Sequence, residues 1–319
     1  MKKILIIGSG AMGAAFTFPL LDNNHKVTLC EPYNFKLIKK LNLKNKFHPA
    51  LKINLSSKLK TKKFSPEILT NSWDLIVIAV SSLGIDLISK KFKNFKKKTP
   101  ILVLTKGLKL DKTKNIITMS EQIKKNNKKL NVSVLKGPCL AKELARKNQT
   151  SVIIANKNIS IAKSIGRKIS TKYYLTEYSK DVVGVEVCSA IKNIYSMIIG
   201  AGQSLNSSSN LFQKAILEMR YLNKYFKGKD ETIFGLAGVG DLYVSAAGGR
   251  NSKMGGFLGK GFTFKTAKKR FMSKETVEGE ELAKEIAPFI LKKIDKKKIP
   301  LMINLLKTIK ENKKLKIKV

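Results

Sequence analysis

One lysine stands out by its surroundings. The segment Val185-Glu-Val-Cys-Ser-Ala-Ile-Lys192-Asn193-Ile is otherwise almost wholly apolar, with helical spacing. A lysine on such a face loses hydration, and its pKa falls toward neutrality. A general acid/base needs that property. The plainer alternative is a lysine that snorkels at the edge of a packed face, a natural one in a chain with 63 Lys and Arg residues. Further on, Gly235-Leu-Ala-Gly-Val-Gly-Asp241-Leu could bring backbone close to a ligand and ends in a carboxylate. Ser245 follows one helical turn later, then Gly248-Gly249-Arg250-Asn251. A guanidinium fork beside an amide suits a cluster of anionic oxygens.

Near the N-terminus, Gly8-Ser9-Gly10-Ala11-Met12-Gly13 has the pattern GxGxxG. It follows an apolar run at 3–7, opens a helical pattern at 11–22, and precedes a second run at 26–30 that ends before Glu31. In this context the pattern predicts a dinucleotide-binding turn. Gly8 allows the tight turn, Gly10 lets backbone approach a pyrophosphate, and Gly13 lets helix and strand pack closely. The helix N-terminus offers N–H groups to the phosphates. Glu31 stands where a carboxylate would accept hydrogen bonds from the ribose hydroxyls of NAD and repel a 2′-phosphate. The expected cofactor is therefore NAD, with NADP open because nearby lysines could compensate.

These groups need elements to hold them. Short apolar runs at 3–7, 26–30, 75–80, 101–104, 132–135 and 151–155 predict strands, with helical stretches between them. Such alternation predicts a parallel sheet covered on both faces. Near residue 180 the texture changes. Helices are predicted at 181–199, 211–226 and 277–294, and no convincing strand follows. A Ser/Asn cluster at 206–210 and a Gly-rich stretch at 235–261 read as loops. The expected architecture is α/β: a Rossmann-like doubly wound sheet over 1–180 and an all-helical substrate domain over 181–319.

Composition narrows the classes. The 319 residues carry a net charge of +41, yet only five of the basic residues are Arg: Arg146, Arg167, Arg220, Arg250 and Arg270. Arg is the preferred residue for reading base edges. The lysine runs (91–98, 124–129, 292–298, 310–318) are spread along the chain, as AT-rich codon usage would give. The expectation is a solvated lysine surface and no specific nucleic acid. Three separated cysteines make neither a disulfide framework nor a zinc site. With two histidines, no histidine-rich metal site is expected, and the acid/base group falls to Lys, Asp or Glu. Met1-Lys-Lys before Ile-Leu-Ile-Ile resembles the start of a signal peptide, but glycines interrupt the run early. No run of 18 apolar residues is found, so neither a membrane span nor stable membrane insertion is expected, and a cytoplasmic location is.

The motifs, in this order, resemble the NAD(P)-dependent glycerol-3-phosphate dehydrogenases. They are GSGAMG at 8–13, FHPALKINLSSKL at 47–59, TKG at 105–107, GPCLAKE at 137–143 and VEVCSAIKN at 185–193. AILEMR at 215–220, GLAGVGDL at 235–242, GGRN at 248–251, LGKG at 258–261 and VEG at 277–279 complete the set. The resemblance implies interconversion of sn-glycerol 3-phosphate and dihydroxyacetone phosphate, supplying phospholipid synthesis. It makes Lys192 the general acid/base and Lys106 a second active-site lysine near substrate and cofactor. Asp241 would join the catalytic set and, with Asn193 and Ser245, line the substrate site. Arg250 and Asn251 would bind the substrate phosphate. Arg250, Ala141 and Glu278 would lie near the cofactor, with Gly8, Ser9, Gly10, Ala11, Met12 and Gly13 forming its turn. Cys139, Leu140 and Met12 depart from the family pattern, as does Gln213-Lys-Ala-Ile216; these bear on pocket shape and helix packing. Two other classes stay open: a dehydrogenase of another small phosphorylated or anionic hydroxy compound, and a nicotinamide-sensing regulator that binds nucleic acid. A homodimer is a further open expectation.

Overall fold

A computed structural model describes residues 1–317; Lys318, in the last lysine run, lies outside them. The chain divides into two compact units. The first comprises Met1–Lys106 and Met119–Val182, the second Gly107–Thr118 and the chain from Val183 onward.

The strands, in chain order, are β1 Lys3–Ile7, β2 Lys26–Glu31, β3 Phe47–His48, β4 Ile53–Asn54, β5 Lys60–Lys63 and β6 Leu75–Ile78. Then come β7 Ile101–Val103, β8 Leu108–Leu110, β9 Ile116–Thr118, β10 Val132–Lys136, β11 Thr150–Ala155 and β12 Tyr174–Ser179. Eight of them form one sheet in the order β12-β11-β10-β7-β6-β1-β2-β5. All neighbouring pairs are parallel except β10 with β11. β1 and β6 are central and apolar because both their faces are covered, as Ile4–Ile7 and Leu75–Ile78 are fully buried. The strand order reverses at β1, which pairs with β2 on one side and β6 on the other. In open α/β sheets, ligands bind outside the strand ends at such a reversal.

Two strands of this sheet were not anticipated. β5 reads Lys-Thr-Lys-Lys and is mostly exposed; β12 reads Tyr-Leu-Thr-Glu-Tyr-Ser. Both are edge strands, where exposed polar side chains discourage further pairing and mask the apolar signal. The helical stretch 11–22 is two helices, Ala11–Ala15 and Thr17–Asp22. Pro19 cannot donate to the Ala15 carbonyl, so the ladder breaks there.

Among the described residues, the regular elements of the second unit are helices and one hairpin. β8 and β9 pair antiparallel, Leu108 opposite Thr118. Asp111 Oδ1 closes their turn by accepting from the Thr113 and Asn115 N–H groups, at 2.8 and 2.9 Å. Leu110 N–H donates to Glu285 Oε1 at 2.9 Å, tying the hairpin to helix Glu278–Lys293. Among the described residues from 181 onward the regular elements are helices, as expected; the hairpin comes from earlier in the chain, inserted between strands of the other unit.

Helix Val182–Gly200 is long and apolar enough to cross a membrane by length and composition alone, although Glu186, Lys192 and Asn193 interrupt its apolar run. Every residue from Gly184 to Ile199 is buried within the protein. The expected loops also prove helical. Residues 206–210 lie in Leu205–Tyr225, because Ser204, just before the helix, and Ser207, in its first turn, form a reciprocal cap. The stretch 235–261 forms a π-helical turn, Leu236–Gly240, then helices Asp241–Gly248 and Arg250–Gly259. Its glycines serve contact between helices. A Cβ on Gly255 would lie 1.9 Å from Met197 O, and one on Gly259 2.3 Å from Ala201 O.

Candidate active site

In the first unit, the turn after β1 has the form its glycines foretold. Gly8 takes φ +109°, and a Cβ there would meet Ala79 O at 2.6 Å. A Cβ on Gly13 would stand 1.9 Å from Gly8 O, so the helix can lie this close only with glycine at that position. Gly10 is exposed, and no atom lies within 4 Å of where its Cβ would be. That is a cradle any side chain would fill, beside a helix N-terminus whose first N–H groups lack helical acceptors. Ala11 and Met12 follow, partly exposed. These residues fit a dinucleotide pyrophosphate.

Ser9 differs from its neighbour in being fully buried. Its N–H and hydroxyl both donate to Glu31 Oε2, at 2.9 and 2.6 Å. Glu31 ends β2, as foreseen, but its carboxylate is engaged inside the chain. Its Oε1 accepts from the Tyr33 and Asn34 N–H groups at 2.8 and 2.9 Å. Burial pushes the Glu31 carboxyl up, and the hydrogen bonds from Ser9, Asn34 and Tyr33 outweigh it, holding the carboxyl below the usual glutamate range.

Lys106 follows β7, half-buried, with Nζ donating to Gly137 O at 3.3 Å. Lys136, at the end of β10, is almost completely buried and donates to Thr105 O at 2.7 Å and Val103 O at 3.2 Å. It thus holds the backbone leading into Lys106. The sequence offered only a lysine closing an apolar strand. Ala141 is the partly exposed first residue of helix Ala141–Ala145. Cys139 is half-buried, and burial pushes the Cys30 thiol up to about 12.

In the second unit, Lys192 lies on the buried helix Val182–Gly200, and its Nζ stands 2.8 Å from Asp241 Oδ1. Ser245 accepts a hydrogen bond from the same amine. Asp241 and Ser245 reach one point because they sit one turn apart on a single helix. The π-helical turn runs straight into that helix and so sets its register. Ser189, one turn before Lys192, donates to Asp241 Oδ2 at 3.4 Å. It was missed, although its spacing from Lys192 was a usable signal.

A second group adjoins the first through Asn193. Asn251 Nδ2 donates to Asn193 Oδ1 at 3.0 Å, and Gly279 N–H donates to Asn251 Oδ1 at 2.9 Å. Asn193 Nδ2 donates to Glu278 Oε2 at 3.3 Å, and Arg250 Nη2 lies 3.1 Å from Glu278 Oε1. Asn251 is buried, whereas Arg250 and Glu278 are half-exposed. Close packing sets this geometry, since a Cβ on Gly279 would lie 2.7 Å from Asn193 O. The structure therefore unites Lys192, Asp241 and Ser245, links them to Asn193, Asn251, Glu278 and Arg250, and separately unites Gly8–Gly13 with Glu31. Chemically, the second unit holds a buried amine beside a carboxylate, with a solvent-facing guanidinium on the adjoining network.

Family comparison covers nearly the whole chain. Residues 3–162 match the model for the N-terminus of NAD-dependent glycerol-3-phosphate dehydrogenase, and residues 181–319 match the model for its C-terminus. The chain belongs to the NAD-dependent glycerol-3-phosphate dehydrogenase family. A glycerol-3-phosphate dehydrogenase [NAD(P)+] of Phytoplasma mali is 32% identical over 87% of this chain and 84% of its own. The NADP(+)-dependent glycerol-3-phosphate dehydrogenase of Archaeoglobus fulgidus is 29% identical over 83% of this chain and 82% of its own. Among solved structures, the glycerol-3-phosphate dehydrogenase of Coxiella burnetii superposes with a TM-score of 0.85 at 25% identity, covering 98% of this chain and 96% of that one.

Proposed function

We propose that the chain interconverts dihydroxyacetone phosphate and sn-glycerol 3-phosphate by hydride transfer with NAD(P). The observation that carries this reading is the buried Lys192 amine, flanked by Asp241 and Ser245 and joined through Asn193 to the Arg250 network.

The dinucleotide, when bound, supplies or accepts the hydride at its nicotinamide. The turn Gly8–Gly13 holds its pyrophosphate, Gly10 leaving the backbone open to it. In the reductive direction Lys192 Nζ, as ammonium, gives a proton to the oxygen developing on substrate C2. In the oxidative direction the neutral amine takes that proton back. A carboxylate at 2.8 Å favours the ammonium form, against the pull of burial toward the neutral amine. Ser245 fixes the amine from a second side. The Arg250 guanidinium faces the substrate phosphate, which competes with the Glu278 carboxylate for its N–H groups. Asn251 steadies Asn193 beside it. Lys106, which the family resemblance gives as a second active-site lysine, is a further source of positive charge for the reaction. Phosphate held away from the reacting carbon turns remote binding energy into positioning.

The deciding experiment follows NADH and NADPH absorbance with dihydroxyacetone phosphate. Consumption of either cofactor is expected, with unphosphorylated dihydroxyacetone a very poor substrate. Turnover of another keto acid or keto phosphate, with none of dihydroxyacetone phosphate, would reassign the chain to a sibling dehydrogenase. The family resemblance supports three further parts of the proposal: supply of phospholipid synthesis, a cytoplasmic location and a homodimer. Sedimentation of the purified chain checks the last.

A further inference from the structure

Four donors converge on the Glu31 carboxylate: the Ser9 N–H and hydroxyl on Oε2, and the Tyr33 and Asn34 N–H groups on Oε1. A carboxylate offers about four lone-pair directions. Its accepting capacity is thus filled from within the chain, and the residue is only 5% exposed. Ser9 is held from a second side as well. His48, on β3 and buried, places Nε2 2.9 Å from Ser9 O. Leu51 N–H points at His48 Nδ1 at 3.3 Å, so the ring carries its proton on Nε2 and donates it to Ser9. The residue before it is fixed too, since Gly8 N–H donates to Cys30 O at 2.8 Å. Ser9 is therefore gripped by its amide, its hydroxyl and its carbonyl. The peptide that follows is the one that presents open Gly10.

An acid at the end of the second strand of a dinucleotide fold ordinarily takes the ribose diol and so favours NAD. In this chain a diol would have to displace Ser9 or the 33–34 turn. The charge argument against a 2′-phosphate also weakens. Lys62 and Lys63 stand opposite Cys30 and Glu31 in register on β5, both exposed, against one buried carboxylate.

We propose that Glu31 is a positioning residue for the pyrophosphate turn, acting through Ser9, and that it does not discriminate NAD from NADP. This role presupposes the dinucleotide chemistry proposed above. It predicts that disturbing the clamp weakens both cofactors together.

The test is calorimetric binding of NADH and of NADPH to wild type, Glu31→Gln, Ser9→Ala and the double variant. Hydrogen exchange at the Ser9 amide is followed in each free protein. Glu31→Gln is expected to weaken both dinucleotides about tenfold or more, the scale of hydrogen bonds to a charged group, with their affinity ratio unchanged. Ser9→Ala, which keeps the charge and removes one bond, is expected to weaken both in the same direction. The double variant should lose less than the sum, because both changes cut one clamp. Exchange at the Ser9 amide should quicken in Glu31→Gln. A selective loss of NADH or gain of NADPH in Glu31→Gln would overturn the inference and restore a ribose contact. So would an Ser9→Ala variant that binds NADH more tightly, or unchanged affinity for both cofactors in Glu31→Gln. A wild-type protein that binds neither dinucleotide overturns the proposed function itself. The exchange rate at Ser9 then still reports whether the clamp exists.

Discussion

Lys192 Nζ and Asp241 Oδ1 are 2.8 Å apart, on side chains only 7% and 3% exposed. Removing one partner of such a pair leaves a buried charge with no compensation, at a cost of about 3–5 kcal/mol. Lys192→Ala is therefore expected to lose stability as well as activity. The drop in kcat should be ~10²–10⁴-fold, the usual worth of a general acid/base. The double variant Lys192→Ala/Asp241→Ala should regain much of the stability and none of the turnover. Chemical denaturation beside initial-rate kinetics separates the two losses. Near-normal turnover in Lys192→Ala would remove the lysine from the chemistry.

Arg250 reports on the substrate phosphate. Arg250→Ala should raise KM for dihydroxyacetone phosphate about ten- to a hundredfold, the scale of a charge-assisted hydrogen bond. The slow reaction of unphosphorylated dihydroxyacetone should not fall further in that variant. An equal loss on both substrates would mean that Arg250 acts elsewhere, and added inorganic phosphate or phosphite should then rescue nothing.

Two adjacent glycines should respond in opposite ways. A Cβ on Gly255 would sit 1.9 Å from Met197 O, whereas one on Gly256 finds only Gly200 O, at 3.6 Å. Gly255→Ala should cost about 1–3 kcal/mol or more by forcing two helices apart. Gly256→Ala should be neutral or stabilise by up to about 1 kcal/mol through helix propensity. Thermal unfolding of the two variants checks the contrast.

Two buried glutamates should give opposite pH slopes. Burial pushes the Glu218 carboxyl above its ordinary value, against hydrogen bonds from Leu301, Met302 and Tyr195. As pH rises from the ordinary glutamate range through that raised value, Glu218 must ionise in the folded state, and stability falls. The Glu31 carboxyl is held below the ordinary value, so its contribution is complete above that range and is lost as pH falls through the lower folded value. Melting temperatures of Glu218→Gln and Glu31→Gln, compared with wild type between about pH 3 and about pH 7, should differ in slope with opposite signs. Parallel slopes would contradict both assignments.

What the sequence disclosed depended on range. The turn at Gly8–Gly13 and the central strands were legible because each is written in a few neighbouring residues. Lys192, Asp241 and Arg250 were legible as residue types; Ser189 was legible only as a polar residue one turn from Lys192, because its partner Asp241 lies 52 positions away. The glycines at 255 and 259 read as loop because their contacts, Met197 and Ala201, lie on another helix. The edge strand β5 was hidden by its own lysines. Spacing placed Glu31 correctly at a strand end, but it could not weigh the Ser9 hydroxyl, which competes for the same oxygens.

The inserted hairpin β8–β9 has a temporal consequence. Leu110 and the carboxylate that receives its N–H, Glu285, are 175 positions apart. At ~5–20 residues per second of synthesis, on the order of ten seconds or more pass before the anchor leaves the ribosome. Throughout that wait the nascent chain can finish pairing β7 with β10 while the stretch between them dangles. Assembly of this enzyme is therefore set to begin with its nucleotide fold and to finish only when a late-emerging helix returns to collect an early one-turn ribbon.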